Sequence, residues 1–292
     1  MNTTKTILET KNLTHVYGAG TPFERSAICD INFSASSGEC IGIIGATGSG
    51  KSTFVQHLNG LLKPTSGHVY FSGNDLHGSK EYTRKTRYKI GLVFQYPEYQ
   101  LFESTVFDDI AFGPKNMGLG ESEIKERVLE AASFVRLDDQ LLEKSPFELS
   151  GGQKRRAAIA GVMAMMPEVL ILDEPTAGLD PRGRDEILHN IMGYKHAINA
   201  TLIIVTHNMD EVVKNIEKVF MFNDGHIIEE GAPAKVFSDT HRLHELGLAA
   251  PKMTMVAARL RELGLPIRDD ILTIKQLRSE LADFRNRGWT PS

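Results

Sequence analysis

The chain has 292 residues, 41% of them hydrophobic and 24% charged, with a formal net charge of −4. That is enough for one large domain with an appendage. It lacks both the roughly 18–20-residue apolar run of a bilayer-crossing helix and the basic block of a nucleic-acid-binding tract. Its first residues have no apolar signal-peptide core, so the chain is expected to stay in the cytosol and reach a membrane only through a partner.

Residues 7–16 and 27–35 are β-prone and flank a Gly/Pro turn at 18–22, which predicts antiparallel strands. Cys29 and Cys40 form no metal-binding pattern and read as plain thiols. From residue 41 the rhythm becomes strand, glycine-rich turn and helix: an apolar run at 41–44, then helical spacing over 51–62 ahead of Pro64. A middle region, about 97–166, carries helical patterns, with Ile124, Val128, Ala131 and Val135 on one stripe. Residues 169–173 and 202–206 read as buried parallel strands with a helix between them. This alternation predicts an α/β fold with a parallel-sheet core and ligands at the strand C-terminal ends.

The tail from about 241 differs. Pro251 can open a helix with Met253, Val256, Ala257, Leu260 and Leu263 on one face. A second helix is expected from Thr273, with Gln276 completing a capping box and Ile274, Leu277, Leu281 and Phe284 on its apolar face. Two such helices read either as packing against the chain's own core or as a subunit contact. Trp289 is given no role.

Gly45, Ala46, Thr47, Gly48, Ser49, Gly50, Lys51 and Ser52 fit the phosphate-loop pattern G-x-x-x-x-G-K-[ST], with a strand before it and a helix after it. Glycines there let backbone N–H groups turn around phosphate oxygens. Lys51 supplies charge to the β- and γ-phosphates, Ser52 can ligate Mg²⁺, and the helix end adds its dipole. The run 169–173 is an apolar strand ending in Asp173, with Glu174 next. Asp173 is thereby delivered to the metal, and Glu174 can polarise the attacking water. His207 follows the next strand, where an imidazole could hydrogen-bond a γ-phosphate.

Leu149, Ser150, Gly151, Gly152 and Gln153 open a helix expected to run through Met166, and a serine with two glycines there makes an anion site. With this motif the chain, over about residues 5–235, resembles the ABC ATPase family. The resemblance implies an ABC-type P-loop NTPase with an N-terminal antiparallel β subdomain, a helical signature subdomain at about 97–166 and a small C-terminal helical extension. Residues 1–240 would form the ATPase domain and 241–292 the extension. It further implies that Gln95 is the Q-loop glutamine and a metal ligand, that residues 149–153 contact the partner's ATP, that Asp180 belongs to the D-loop and that His207 is the H-loop histidine. An adenine-stacking aromatic matches Tyr17, with Phe23 near enough to compete, and Thr53 completes the ATP-binding set. In this mechanism ATP closes a head-to-tail dimer and hydrolysis reopens it. A GTPase would need an N-K-x-D motif, which is absent.

The stretch from Gln95 through Glu98, Phe102 and Phe107 to Pro114 is similar to the ATPases of energy-coupling-factor (ECF) importers. Residues 20–27 and 246–251 look more like the second, A-prime-type ATPase. That resemblance implies a heterodimer with a second ATPase beneath a transmembrane coupling protein, and a separate membrane protein that captures a vitamin or other micronutrient. The chain would sit peripherally on the cytoplasmic face, with ATP and Mg²⁺ and without nucleic acid. Residues 96–112 would grip a coupling helix, with Glu98, Glu103, Asp108 and Asp109 as contacts for its arginines. Tyr96, Tyr99, Phe102 and Phe107 read either as anchors of that contact or as core. The alternative within transport is a conventional metal-ion or amino-acid importer, in one version with two copies of this chain. A soluble mechanochemical ATPase would carry a long coiled coil or a duplicated module, and neither is present.

Overall fold

A computed structural model describes residues 5–286, the side chains of 284–286 excepted. In chain order the elements are β1 (Thr6–Tyr17), β2 (Arg25–Ser36), β3 (Cys40–Gly45), α1 (Lys51–Leu58), β4 (Ser66–Phe71), β5 (Asn74–Asp75), α2 (Lys80–Lys89), β6 (Ile90–Val93), α3 (Val106–Asn116), α4 (Glu121–Phe134), α5 (Gly151–Met163), β7 (Val169–Asp173), α6 (Pro181–Ile198), β8 (Thr201–Val205), α7 (Met209–Asn215), β9 (Lys218–Asn223), β10 (His226–Gly231), α8 (Pro233–Val236), α9 (Thr240–Glu245), α10 (Lys252–Glu262) and α11 (Ile274–Asn286). Among the described residues two compact units result: residues 5–39 with 52–205, and residues 40–51 with 206–286.

In the first unit, β1 and β2 pair antiparallel as their composition predicts, and β4 and β5 extend that sheet to the order β2-β1-β4-β5. Strands β6, β7 and β8 run parallel in that order. Every residue of the three is buried, which explains their continuous apolar runs. The predicted stripe on α4 holds: Ile124, Val128, Ala131 and Val135 are all buried. Helix α1 ends at Leu58 instead of reaching 62. Gly60 adopts φ +75, and Leu61 N–H bonds the Gln56 carbonyl at 2.9 Å, a Schellman stop that precedes the proline. Helix α5 likewise stops at Met163, short of Met166, which takes a left-handed φ of 52.

In the second unit, β3 pairs in parallel with β9, and β9 turns back through Asp224 and Gly225, both at positive φ, into antiparallel β10. The tail belongs to this unit. Thr273 and Gln276 form the expected box, with Gln276 Oε1 accepting from Thr273 N–H at 2.9 Å and Thr273 Oγ1 accepting from Gln276 N–H at 3.3 Å. The apolar faces differ from expectation. Ala257, Ile267, Ile271 and Leu277 form the core of the tail, with Met253, Leu260 and Leu265 against it. Val256, Leu263, Ile274 and Leu281 are exposed. The linker residues Ile267 and Ile271 supply half of that core's four buried side chains. The side chain of Phe284 and the whole of Trp289 lie outside the described residues.

Candidate nucleotide site

Within the second unit the phosphate loop leaves β3 at Gly45, whose φ is +154. A Cβ there would collide with the Phe222 carbonyl and lie 2.7 Å from Ser49 Oγ, so only glycine fits. Gly225 N–H bonds Ser49 O at 3.1 Å and anchors the loop from the β9–β10 turn. Lys51, only 8% exposed, curls back over its own loop: Nζ donates to the carbonyls of Gly45 and Ala46, both at 2.8 Å. The ammonium is thereby held against the start of the loop. Ser52, one residue on, is exposed.

The same unit carries His207, which is exposed and bracketed on both sides. Glu211, buried in α7, accepts from Thr206 Oγ1 at 3.2 Å with one oxygen and from Asn208 Nδ2 at 3.0 Å with the other. Thr206 N–H is fixed by the Ile43 carbonyl at 3.1 Å. The sequence reading missed Glu211. Its signal was an acid one helical turn beyond His207, on a face otherwise occupied by Val212 and Met209.

In the first unit, Gln95 stands two residues beyond β6, and Asp173 ends β7 with Glu174 the next residue. Asp173 is buried. Glu174 takes a left-handed φ of 51, with its N–H held by the Val205 carbonyl at 2.9 Å. Non-glycine residues in that region cost of the order of 1 kcal/mol and collect at functional sites. Gln95 Nε2 donates to Glu174 Oε2 at 3.4 Å. Tyr17, at the end of β1, hydrogen-bonds Thr53 Oγ1 in the first turn of α1 at 3.3 Å, whereas Phe23 is 88% exposed. Tyr17 is thus the aromatic tied to the helix that follows the phosphate loop.

Ser150 caps α5. Its Oγ accepts from Gln153 N–H, and Gln153 Oε1 accepts from Ser150 N–H at 2.9 Å. A Cβ on Gly151 or Gly152 would meet nothing within 4 Å. Glycine in a helix costs about 1 kcal/mol against alanine, and the chain's own packing gives no reason for it here. Asp180 caps α6 through Gly183 N–H at 2.7 Å.

Three of the four acids expected to meet a partner are engaged within the chain. Glu98 forms a two-pronged ion pair with Arg155, whose side chain is only 4% exposed. Asp108 binds Lys115 at 2.7 Å and Thr105 at 2.7 Å, which together hold its carboxyl below the usual range. Asp109 accepts from the backbone N–H groups of Phe102 and Glu103, and burial pushes its carboxyl up. Arg155 escaped the sequence reading, although an arginine on the Ala/Ile face of α5 needs a buried partner. Beside this network lies a cavity of about 490 Å³, lined among others by Ala157, Gly161 and Met165 and by Leu101, Phe102 and Phe112. Tyr99 and Phe102 are mostly exposed. Phe107 is half-buried, between the two readings offered for it.

The family described as ABC transporter matches residues 28–177. The energy-coupling factor transporter ATP-binding protein EcfA2 of Caldanaerobacter subterraneus is 50% identical, covering 95% of this chain and 97% of its own length. Its counterpart in Clostridium tetani is 52% identical over 96% and 97%. The chain belongs to the ABC transporter family, among its energy-coupling factor ATP-binding proteins. Solved ABC structures agree. CbiO1 from Clostridium perfringens, part of the ABC transporter complex cbiONQ, superposes with a TM-score of 0.74 at 39% identity, covering 88% of this chain and 99% of that one. The ATP-binding cassette MJ0796, a dimer in a post-hydrolysis state with ADP and phosphate, gives 0.71 at 28% identity, covering 78% and 99%. Like other ABC ATP-binding subunits, this chain binds and hydrolyses ATP. Among the described residues no helix is long and apolar enough to cross a membrane.

Proposed function

We propose that this chain is the A-prime-type ATPase of an ECF importer for vitamins or other micronutrients, working on the cytoplasmic face beneath a transmembrane coupling protein. ATP is held by the phosphate loop, residues 45–52, with Thr53 and Tyr17 as further ATP-binding residues. Mg²⁺ fits the donor set of the Ser52 hydroxyl, the Asp173 carboxylate and the Gln95 amide oxygen, all hard oxygen ligands. When bound, the ion neutralises phosphate charge. Glu174 polarises the attacking water, and His207 hydrogen-bonds the γ-phosphate.

The observation that carries the reading is the double use of α5. Its N-terminus presents Ser150, Gly151 and Gly152, two glycines with open space above them. Its flank, at Ala157 and Gly161, walls the cavity beside the exposed aromatics Tyr99 and Phe102. The glycines suit close approach of a nucleotide held by a second ATPase, with the helix-end amides facing its phosphate. The cavity suits a helix of a coupling protein, with Phe102 and Tyr99 as anchors and Glu103 as the acid for an arginine. One rigid helix then joins nucleotide state to membrane partner. A second ATPase, a coupling protein and a micronutrient-capturing membrane protein complete the assembly.

An affinity pull-down of the tagged chain from detergent-solubilised membranes, with partners identified by mass, tests this. A distinct second ATPase with a multi-span protein and small membrane proteins is expected. Two copies of this chain with one permease type would replace the proposal by a conventional importer.

A further inference from the structure

We propose that Arg155 is a positioning residue that ties three segments of the ATPase together through one guanidinium; the inference rests on the site assignments above. Arg155 Nε and Nη2 donate to the two oxygens of Glu98 at 3.0 and 2.7 Å, and Nη1 donates to the Ala177 carbonyl at 2.5 Å. Its Cζ lies 5.9 Å from the centre of the Tyr96 ring. Tyr96 and Glu98 stand one and three residues past Gln95. Ala177 stands three residues before Asp180. Arg155 itself is five residues along α5 from Ser150, so the helix carries its position directly to the signature segment.

A guanidinium suits this post because its donors lie in one rigid plane and its charge is permanent. Lysine, a single point on a flexible stem, cannot hold the Glu98 carboxylate in two places and still reach the Ala177 carbonyl. Tyr96 is held at a left-handed φ of 54 next to this contact, so the segment after Gln95 is kept in an unfavourable conformation by what surrounds it. The turn bearing Glu98 continues into Gln100, Leu101 and Phe102, which line the same cavity as Ala157 and Gly161 of α5. A helix entering that cavity presses on both of these walls, and the Arg155–Glu98 pair joins the segments that form them. Movement of either wall is therefore passed to Ala177 and on to Asp180 without touching the bound nucleotide.

The test uses the tagged full chain purified with its membrane partners and reconstituted into lipid vesicles, with ATP turnover measured against ATP concentration. Arg155→Met and the isosteric Glu98→Gln are each expected to lower kcat at least tenfold while KM for ATP stays within about twofold. Arg155→Lys should fall with Arg155→Met, and the double variant should be no slower than Arg155→Met alone. A folded Arg155→Met complex with unchanged kcat, or losses that multiply in the double variant, would overturn the proposal. If Arg155→Met fails to assemble, Glu98→Gln alone decides, because it keeps the volume and one hydrogen bond. Glu174→Gln run alongside separates the two layers. Turnover that survives in Glu174→Gln overturns the site assignment on which the proposal rests. Turnover lost there but kept in Arg155→Met overturns the Arg155 link alone.

Discussion

The Gln95 amide donates to the Glu174 carboxylate at 3.4 Å, joining the segment that leads to Leu101 and Phe102 of the cavity to the acid proposed as general base. That acid sits at a left-handed φ, with its N–H fixed by Val205. Its carboxylate is therefore aimed by backbone and side-chain contacts together. Glu174→Gln keeps shape and backbone but cannot take a proton. We expect ATP binding to be preserved and turnover to drop by roughly 10²–10⁴, measured as phosphate release alongside equilibrium binding of ATP. Undiminished hydrolysis would remove Glu174 from the base role.

Lys51 and Gly45 both shape the phosphate loop, but only Lys51 carries charge for a phosphate. Lys51→Ala removes the ammonium and leaves the Gly45 and Ala46 carbonyls without that donor, so it should weaken ATP affinity at least tenfold and also lower stability by about 1–3 kcal/mol. Gly45→Ala forces a methyl against the Phe222 carbonyl and should lower stability by about 1–3 kcal/mol. Titration calorimetry and thermal melting on both variants distinguish the two; normal ATP affinity in Lys51→Ala contradicts the phosphate-site assignment.

Glu211 holds the residues on either side of His207. Glu211→Ala leaves the buried Thr206 hydroxyl and the Asn208 amide without this acceptor, at a cost of about 1–3 kcal/mol, and should slow turnover about tenfold. Glu211→Gln keeps one acceptor and should recover part of both losses. Equal turnover in the wild type and Glu211→Ala, per folded molecule, would limit Glu211 to a structural role.

His57 is buried beside His15, the rings 4.7 Å apart, and its pKa is lowered to about 4 by burial first and then by His15 and His77. The unfolded chain therefore binds the proton that the folded chain refuses, between pH 6.5 and about 4. The neutral form's contribution is complete above that window and is lost as pH falls through it, up to about 3 kcal/mol. Denaturant unfolding at pH 7 and pH 5 should show a drop that His57→Phe reduces. An identical drop in the variant would assign the acid sensitivity elsewhere.

Thr254 Oγ1 donates to the Ile271 carbonyl at 2.9 Å inside the tail core, and Lys252 binds Asp210, three residues past His207. Thr254→Val should loosen α10 and α11, seen as faster amide exchange from about residue 252 onward. Exchange elsewhere in the unit should be unchanged. No change in the tail would mean that its apolar cluster suffices.

Local chemistry was legible in the sequence because it depends on neighbours along the chain. The phosphate loop, the acids ending β7, the Ser150–Gln153 segment and the Thr273–Gln276 box each need only a few consecutive residues and a helix or strand end. Buried strands announced themselves as unbroken apolar runs. Tertiary structure decided what depends on distant residues. Glu98 meets Arg155 across 57 positions, so an acid that reads as a partner contact is an internal strut. Ile267 and Ile271 take the core places that helical periodicity alone gives to Val256, Leu263, Ile274 and Leu281. Periodicity fixes which residues share a face; only the packing of one segment on another determines which face is covered, and which charge finds its counter-charge inside the chain.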